Sequence, residues 1–281
     1  QVSALKKGEV DIIENLPFDH YEAVKADPTV QVPNYATRGL QYMARFNHLH
    51  KPFDNAKVRQ AIAHAIDKAR IVQLVNGRGQ IAKGILPPTM PGFDPELPGY
   101  GHDPARAKAL LAEAGYPEGF KATYYCVSND TARKIAQSIQ QDLAQVGITL
   151  ELKPLAFPTF LEAKATAGQV GIASGNWTQD FPDPSNFLTT MFHSKNIHET
   201  NSLNDSYYKN PQVDQLLDKA GAATAPEERA RYFRQAEALV VADAPVVPLY
   251  NPVKYQITSE RVKGHRLHPV WAMDLTGVTI E

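Results

Sequence analysis

Apolar residues recur at helical spacing in several stretches of this 281-residue chain. From the capping Asn55 onward, Val58, Ala61, Ile62, Ala65 and Ile66 form one buried stripe. A second helix is predicted over 69–75, ending at Gly77. Asp103 caps a third, with Pro104 in its first turn and Gly115 past its end, the common asymmetry of proline first and glycine last. The strongest period runs over 131–146, where Ala132, Ile135, Ala136, Ile139, Leu143 and Val146 share a face and Gly147 closes the run. Further helices are expected over 17–26, 158–167, 184–191, 212–220 and 227–241, and residues 1–7 have the pattern of a helix already under way. Short β-rich runs predict strands over 10–13, 29–32, 38–47, 120–127, 148–155, 170–173, 246–250, 254–258 and 266–270. In the third of these, Tyr42, Ala44 and Phe46 lie on one face.

The alternation of strand and helix from 120 to 173 predicts a parallel or mixed sheet covered by helices. Residues 79–101 break the rhythm with Pro87, Pro88, Pro91, Pro95 and Pro98, which implies either an ordered loop wrapping a surface or a linker. The polar stretch 193–208 shows no period. No internal repeat or low-complexity tract interrupts the chain.

The candidate functional stretch is Gly175 to Leu188, expected as a stiff loop at the end of the 170–173 strand. Pro182 and Pro184 forbid helix or ladder continuation and hold the preceding residues extended. Trp177 offers an aromatic face and Asp180 a carboxylate three residues on, a pairing that suits a ligand with a cationic head and an apolar or planar body. The competing reading is a proline-rich turn in which Asp183 bonds its own backbone and Trp177 simply packs.

Composition narrows the function classes. A net charge of -1 gives no basic field for nucleic acid or an anionic membrane, and no apolar run is long enough to span a bilayer. One cysteine, Cys126, precludes an internal disulfide framework. It is either a small apolar packer or a nucleophile at a strand end. His48 and His50 would share a face and make half a metal site, with no partner Cys/His pair beside them. Asp180 and Asp183 as an acid–base pair would give a hydrolase, but catalytic carboxylates usually come from separate elements across a cleft. There is no phosphate loop, dinucleotide fingerprint or nucleophile elbow, and no cofactor is expected.

Several segments together resemble the extracellular solute-binding proteins of family 5, the peptide- and nickel-binding components of ABC importers. They are Leu5-Lys6-Lys7-Gly8-Glu9-Val10-Asp11; Phe46-Asn47 with Pro52-Phe53-Asp54-Asn55 and Val58-Arg59-Gln60-Ala61; and Asp103-Pro104-Ala105-Arg106-Ala107-Lys108-Ala109-Leu110-Leu111. Ala114-Gly115-Tyr116-Pro117, Ile139-Gln140 with Val146-Gly147-Ile148, Trp177 through Phe187, and Ala244-Pro245 with Pro248-Leu249-Tyr250 follow in family order.

The resemblance implies an α/β, periplasmic binding protein-like fold of the Venus-flytrap, class II type, here one complete lobe with remnants of the other. Residues 1–45 would belong to lobe one, 46–249 would form lobe two, and 250–281 would return to lobe one. The N-terminal half of the family architecture would be absent, leaving an open apolar patch around Val10–Ile13 and Thr29–Val32. By the same resemblance Asp180 pairs with a ligand ammonium. The candidate ligand-binding set is Asp180, Trp177, Phe181, Cys126, Asn47 and Tyr250, with Cys126 standing where dipeptide binders carry an arginine for the ligand carboxylate. The implied protein is a monomeric, non-enzymatic peptide binder, periplasmic or extracellular, that works with a membrane permease. A nickel-type binder is the alternative.

Overall fold

A computed structural model describes residues 1–13, 21–32, 40–253, 256–266 and 275–281. A six-stranded mixed sheet organises it, with strand order β4-β8-β3-β7-β5-β6. Its members are β3 (Leu40–Phe46), β4 (Gly79–Ile81), β5 (Lys121–Val127), β6 (Thr149–Leu155), β7 (Ile172–Thr178) and β8 (Val246–Pro252). β5 pairs in parallel with β6 and β7, while β3, β4, β7 and β8 pair antiparallel. Period-2 alternation then divides β3 between two cores. Ala44 and Phe46 enter a cluster with α3 (Ala56–Ala65), α5 (Pro104–Glu113) and α6 (Asp130–Ala144). Met43 enters the other, with α8 (Leu188–Phe192), α9 (Pro211–Ala222) and α10 (Pro226–Asp243).

Local signals set the helix ends. The side chains of Asn55, Asp103 and Asn129 each accept from a backbone N–H in the first turn of α3, α5 and α6. α6 gives way to β6 through Gly147 at φ +87, facing Gly119 at φ +75; a Cβ on Gly119 would lie 2.0 Å from the Gly147 carbonyl oxygen. At the far end of α10, buried Arg59 donates to the carbonyl oxygens of Asp243 (2.7 Å) and Ala244 (3.2 Å), filling acceptors that a helix C-terminus leaves open.

The proline-rich segment is an ordered loop, because Ile85, Leu86, Met90 and Leu97 are buried in the second core. Its start forms β4, a short edge strand that proline content concealed. Glu237 of α10 secures it by accepting from the N–H groups of Ile85 (2.7 Å) and Leu86 (2.8 Å). The polar stretch 193–208 is also folded inward. Asn204, fully buried, donates to the carbonyl oxygens of His193 and Tyr208 and accepts from Tyr208 N–H.

The terminal segments meet in a second, three-stranded antiparallel sheet: β1 (Ile12–Ile13) and β2 (Val30–Gln31) flank β9 (Ile257–Ser259). Leu5 of α1 (Val2–Lys6), Ile13, Val24 of α2 (Tyr21–Lys25) and Ile257 form its small core. Among the described residues the open apolar patch expected here is not found. Ile13 is 2% exposed because α1, α2 and β9 cover it, and among its described large apolar neighbours only Val10 stands out. The final pair is β10 (Val262–Lys263) with β11 (Thr279–Ile280). The strand expected over 266–270 and the beginnings of those over 38–47 and 254–258 and of the helix over 17–26 fall largely or partly outside the described residues.

Candidate binding site

The site is set by how far each strand runs. β5, β6 and β7 follow one another in the chain but lie in the order β7-β5-β6, with α6 and α7 (Phe157–Lys164) as the connections. The connection from β6 crosses β5 to reach β7, so the sheet has a topological switch point between β5 and β7. Ligands of open α/β sheets bind outside the carboxyl ends of strands at such points. The sequence stretch expected to be loop from Gly175 is in fact strand: β7 continues through Gly175, Asn176 and Trp177 to Thr178, paired throughout with β3. Gly175 makes room within that strand for the Arg45 side chain, which passes over it; a Cβ there would lie 2.4 Å from the guanidinium Nε.

On its other edge β7 pairs with β5 only at Tyr124↔Ile172 and Tyr125↔Ala173. From Ser174 to Thr178 no described strand occupies that edge. A cavity of ≈ 190 Å³ opens beside it. Its walls are the first turns of α6 (Thr131, Ala132, Ile135), the apolar face of α7 (Phe157, Phe160, Leu161), Tyr124 and Val127 of β5, and Tyr42 with Tyr250. The Tyr42 and Tyr250 rings stack 4.8 Å apart at 8°. Phe157 and Leu161 remain 55% and 40% exposed at the cavity, apolar surface left uncovered by the rest of the chain.

Beyond β7 lies the Asp180 loop. Asn186 organises it: its side-chain oxygen accepts from Asp180 N–H (3.0 Å) and Trp177 Nε1 (3.4 Å), and its Nδ2 donates to Asp180 Oδ2 (3.1 Å). Asp180 is exposed, and its described side-chain partner is this neutral amide. Asp183 is spent on structure. It caps the 3₁₀ turn Pro184–Asn186 through Ser185 N–H and takes both arms of Arg229, at 2.9 and 3.1 Å. Partial burial works to raise its carboxyl, but the hydrogen bonds from Arg229 and Ser185 outweigh this and hold it below the ordinary value.

The six sequence-chosen residues are therefore spread over three places. Tyr250 borders the cavity; Trp177, half-buried, and Phe181, 48% exposed, flank Asp180 outside it. Asn47 accepts from Leu49 N–H (2.9 Å) beside a cavity of only ≈ 10 Å³. Cys126 is a core residue, 1% exposed, with a thiol pushed up by burial, and it does not border the main cavity. Its neighbour Val127 does. His48 and His50 form no group of three metal-ligating side chains with any described residue. Burial, with Arg59 beside it, pushes the His48 imidazole down to about 3, so it stays neutral at ordinary pH.

Sequence reasoning missed Asn186, Tyr124 and the buried ion cluster of Arg45, Asp205 and Lys164. Alternation along 121–127 places Tyr124 inward, but nothing in sequence shows that its hydroxyl is without a partner. In the ion cluster, Arg45 Nη1 and Lys164 Nζ each bind one Asp205 oxygen. Burial works to raise the Asp205 carboxyl, and the two cations reverse the sign and hold it low. Lys164 borders the cavity with its charge already claimed.

Residues 1–199 match the profile of the bacterial extracellular solute-binding proteins, family 5 Middle. The chain is 34% identical to a heme-binding protein A of Haemophilus influenzae, over 99% of this chain and 51% of that protein. It is 31% identical to a dipeptide-binding protein of Pseudomonas aeruginosa, over 94% of this chain and 50% of that one. Among solved structures, a periplasmic binding protein associated with an ABC transporter of Helicobacter pylori, in complex with the peptide STSA, superposes with a TM-score of 0.91 at 30% identity; the match covers 100% of this chain and 54% of that one. A dipeptide-binding protein from Pseudoalteromonas in complex with Met-Leu gives 0.88 at 29% identity, covering 100% and 56%. The chain thus spans about half the length of the relatives it matches.

Proposed function

The chain belongs to the bacterial extracellular solute-binding proteins of family 5, and from that membership we propose that it captures a peptide as the substrate-binding component of an ABC importer. The observation that carries this reading is the free edge of β7 from Ser174 to Thr178, with an anion at one end and an apolar cavity at the other. An extended ligand can add to such an edge as a strand, its backbone supplying the hydrogen bonds that β5 does not. Asp180 then receives the ligand ammonium through charge-assisted hydrogen bonds, roughly twice as strong as neutral ones. Asn186 holds that carboxylate in place before the ligand arrives, so little ordering entropy is lost on binding. Trp177 walls the ammonium, and Tyr250 lines the far end.

In this reading residues 46–249, with Met43, Ala44 and Tyr250 of the adjoining strands packed into the same two large cores, are one lobe, and the small core of Leu5, Ile13, Val24 and Ile257 belongs to the other. β3 and β8, side by side and antiparallel, are the crossings between them. Ligand binding favours closure of the lobes by differential affinity for the closed state. The protein works as a monomer with a membrane permease, outside the cytoplasm, and returns its ligand unchanged. No described helix is long and apolar enough to cross a membrane. Nickel binding has no described ligand cluster to support it, and Asp183, paired with Arg229, is not placed to act with Asp180 in hydrolysis.

Calorimetry on the full-length protein with Ala-Ala-Ala and its N-acetylated form tests the reading. The free amine should bind, the acetylated peptide should bind at least tenfold more weakly, and mass spectrometry should recover the bound peptide intact. Equal affinity for the two would remove Asp180 from its role, and cleavage would make the protein an enzyme.

A further inference from the structure

At the end of the large sheet that meets the terminal segments, four strand ends lie in a row. The start of β4 at Gly79 pairs with Pro252 at the end of β8, and the start of β3 at Leu40 pairs with Thr178 at the end of β7. The two crossings, β8 and β3, stand in the middle of the row. Asp180 follows β7 on one side of them, and Arg78 precedes β4 on the other. Between Tyr42 and Met43 the pairing of β3 with β8 shifts register, an irregularity of the kind that bends a strand and interrupts its ladder.

Arg78 joins the two units beside this line. It closes the turn after α4 (Lys68–Leu74), its N–H donating to the Val75 carbonyl (3.1 Å) and its own carbonyl accepting from Val253 N–H (2.9 Å). Gly79 next to it leaves room for the ring of Tyr250; a Cβ there would lie 2.6 Å from Cδ2 of that ring. The Arg78 backbone therefore moves with the large sheet. Its side chain reaches the other unit. Arg78 is 4% exposed, and its guanidinium carbon lies 4.3 Å from the centroid of the Tyr21 ring. Tyr21 belongs to α2 and packs against the small core of the terminal segments. Lys25 reaches the same ring at 5.6 Å, but from α2 itself, so motion between the units leaves that contact alone.

We propose that the Arg78–Tyr21 contact is a brace on the far side of the hinge that holds the binding cleft open. The inference rests on the two-lobe reading above. A lobe that turns about β3 and β8 to approach Asp180 must draw away from Arg78, because the two lie on opposite sides of the crossing strands. Closing the cleft therefore pulls the guanidinium off the ring, and the lost cation–π contact counts against the closed state. Apparent affinity is the intrinsic affinity reduced by the fraction of molecules able to close. The brace lowers that fraction without touching the ligand.

The test uses the full-length protein with Arg78→Met, which keeps the length of the side chain and removes its charge, and Tyr21→Leu, which removes the ring. Single-molecule fluorescence between dyes on Lys7→Cys and Lys195→Cys, exposed positions of the two units, reads the closed fraction without ligand. Cys126 is buried and stays unlabelled. Each variant should raise the closed fraction about two- to tenfold and tighten Ala-Ala-Ala in calorimetry by the same factor. The double variant should gain no more than either single one, since both remove one contact. Tyr21→Phe keeps the ring and should behave as wild type. Should Arg78→Met not fold, Tyr21→Leu decides alone. A closed fraction that is unchanged or lower in the variants would overturn the brace, as would gains that simply add in the double variant. A merely structural contact would weaken binding or leave it alone, whereas a brace makes its loss a gain. Failure of Ala-Ala-Ala to bind wild type would overturn the peptide reading, and the closed fraction of the unliganded protein would still decide for or against the brace.

Discussion

Asp205 and Glu237 are both buried carboxyl groups, 7% and 2% exposed, yet their surroundings push them in opposite directions. At Asp205 burial opposes the charge, and Arg45 and Lys164 more than restore it. At Glu237 burial dominates; two backbone N–H groups offset it only in part and Asp94 adds to it, so the carboxyl is pushed up to about 7. Partners, not depth, decide whether a buried acid is charged. The loop after β7 repeats the lesson at the surface: Asp183 has a cation and Asp180 has a neutral amide. A carboxylate held in place but not neutralised is the one able to serve a cationic ligand.

Replacing the best-paired acid should have the largest effect. Asp205→Asn leaves Arg45 and Lys164 buried without a counter-charge and should cost about 3–5 kcal/mol in urea denaturation. A loss below about 1 kcal/mol would mean that water enters the cluster. Next comes Asp180→Asn, which in the full-length protein should weaken a free-amine peptide by roughly 30- to several-thousand-fold, from about 2–5 kcal/mol for breaking a buried charge pair, with little change in melting. Calorimetry and a melting curve on the same sample separate the two.

Glu237 gives the third comparison, through pH. Its folded value lies above the ordinary 4.5, so the native state binds the extra proton and stability falls as pH rises from about 4.5 to about 7. The full drift is at most about 3 kcal/mol. Glu237→Gln should flatten it in denaturation curves at pH 5 and pH 8. Asp205 acts with the opposite sign, losing its contribution as pH falls below the normal carboxylate range, so the two windows do not overlap. The smallest effect is expected for Asp183→Asn. Its pair with Arg229 is part-exposed, so melting should report about 1 kcal/mol or less and peptide affinity should hold. A greater loss of affinity here than at Asp180 would reverse the roles of the two acids.

Period and caps in the sequence were enough to determine the α/β alternation from 120 to 173, the start of α3 at Asn55 and the proline–glycine bounds of α5, because these depend on residues within a turn of one another. The same is true of Asp183 as a turn-former, which needs only Ser185 two residues on. Where β7 ends was not determined locally. Gly175 lies in the strand because β3 pairs with β7 as far as Thr178, and the other edge is free because β5, which runs on to Val127 beside β6, pairs with β7 only at Tyr124 and Tyr125. Likewise Asp180 and Trp177 are held by Asn186, and Arg45 is neutralised by Asp205, 160 residues away. Proximity in the chain sets backbone conformation, since hydrogen bonds between near neighbours close at little entropic cost. Which polar groups are satisfied, and which are left for a ligand, depends on contacts that only the folded sheet brings together.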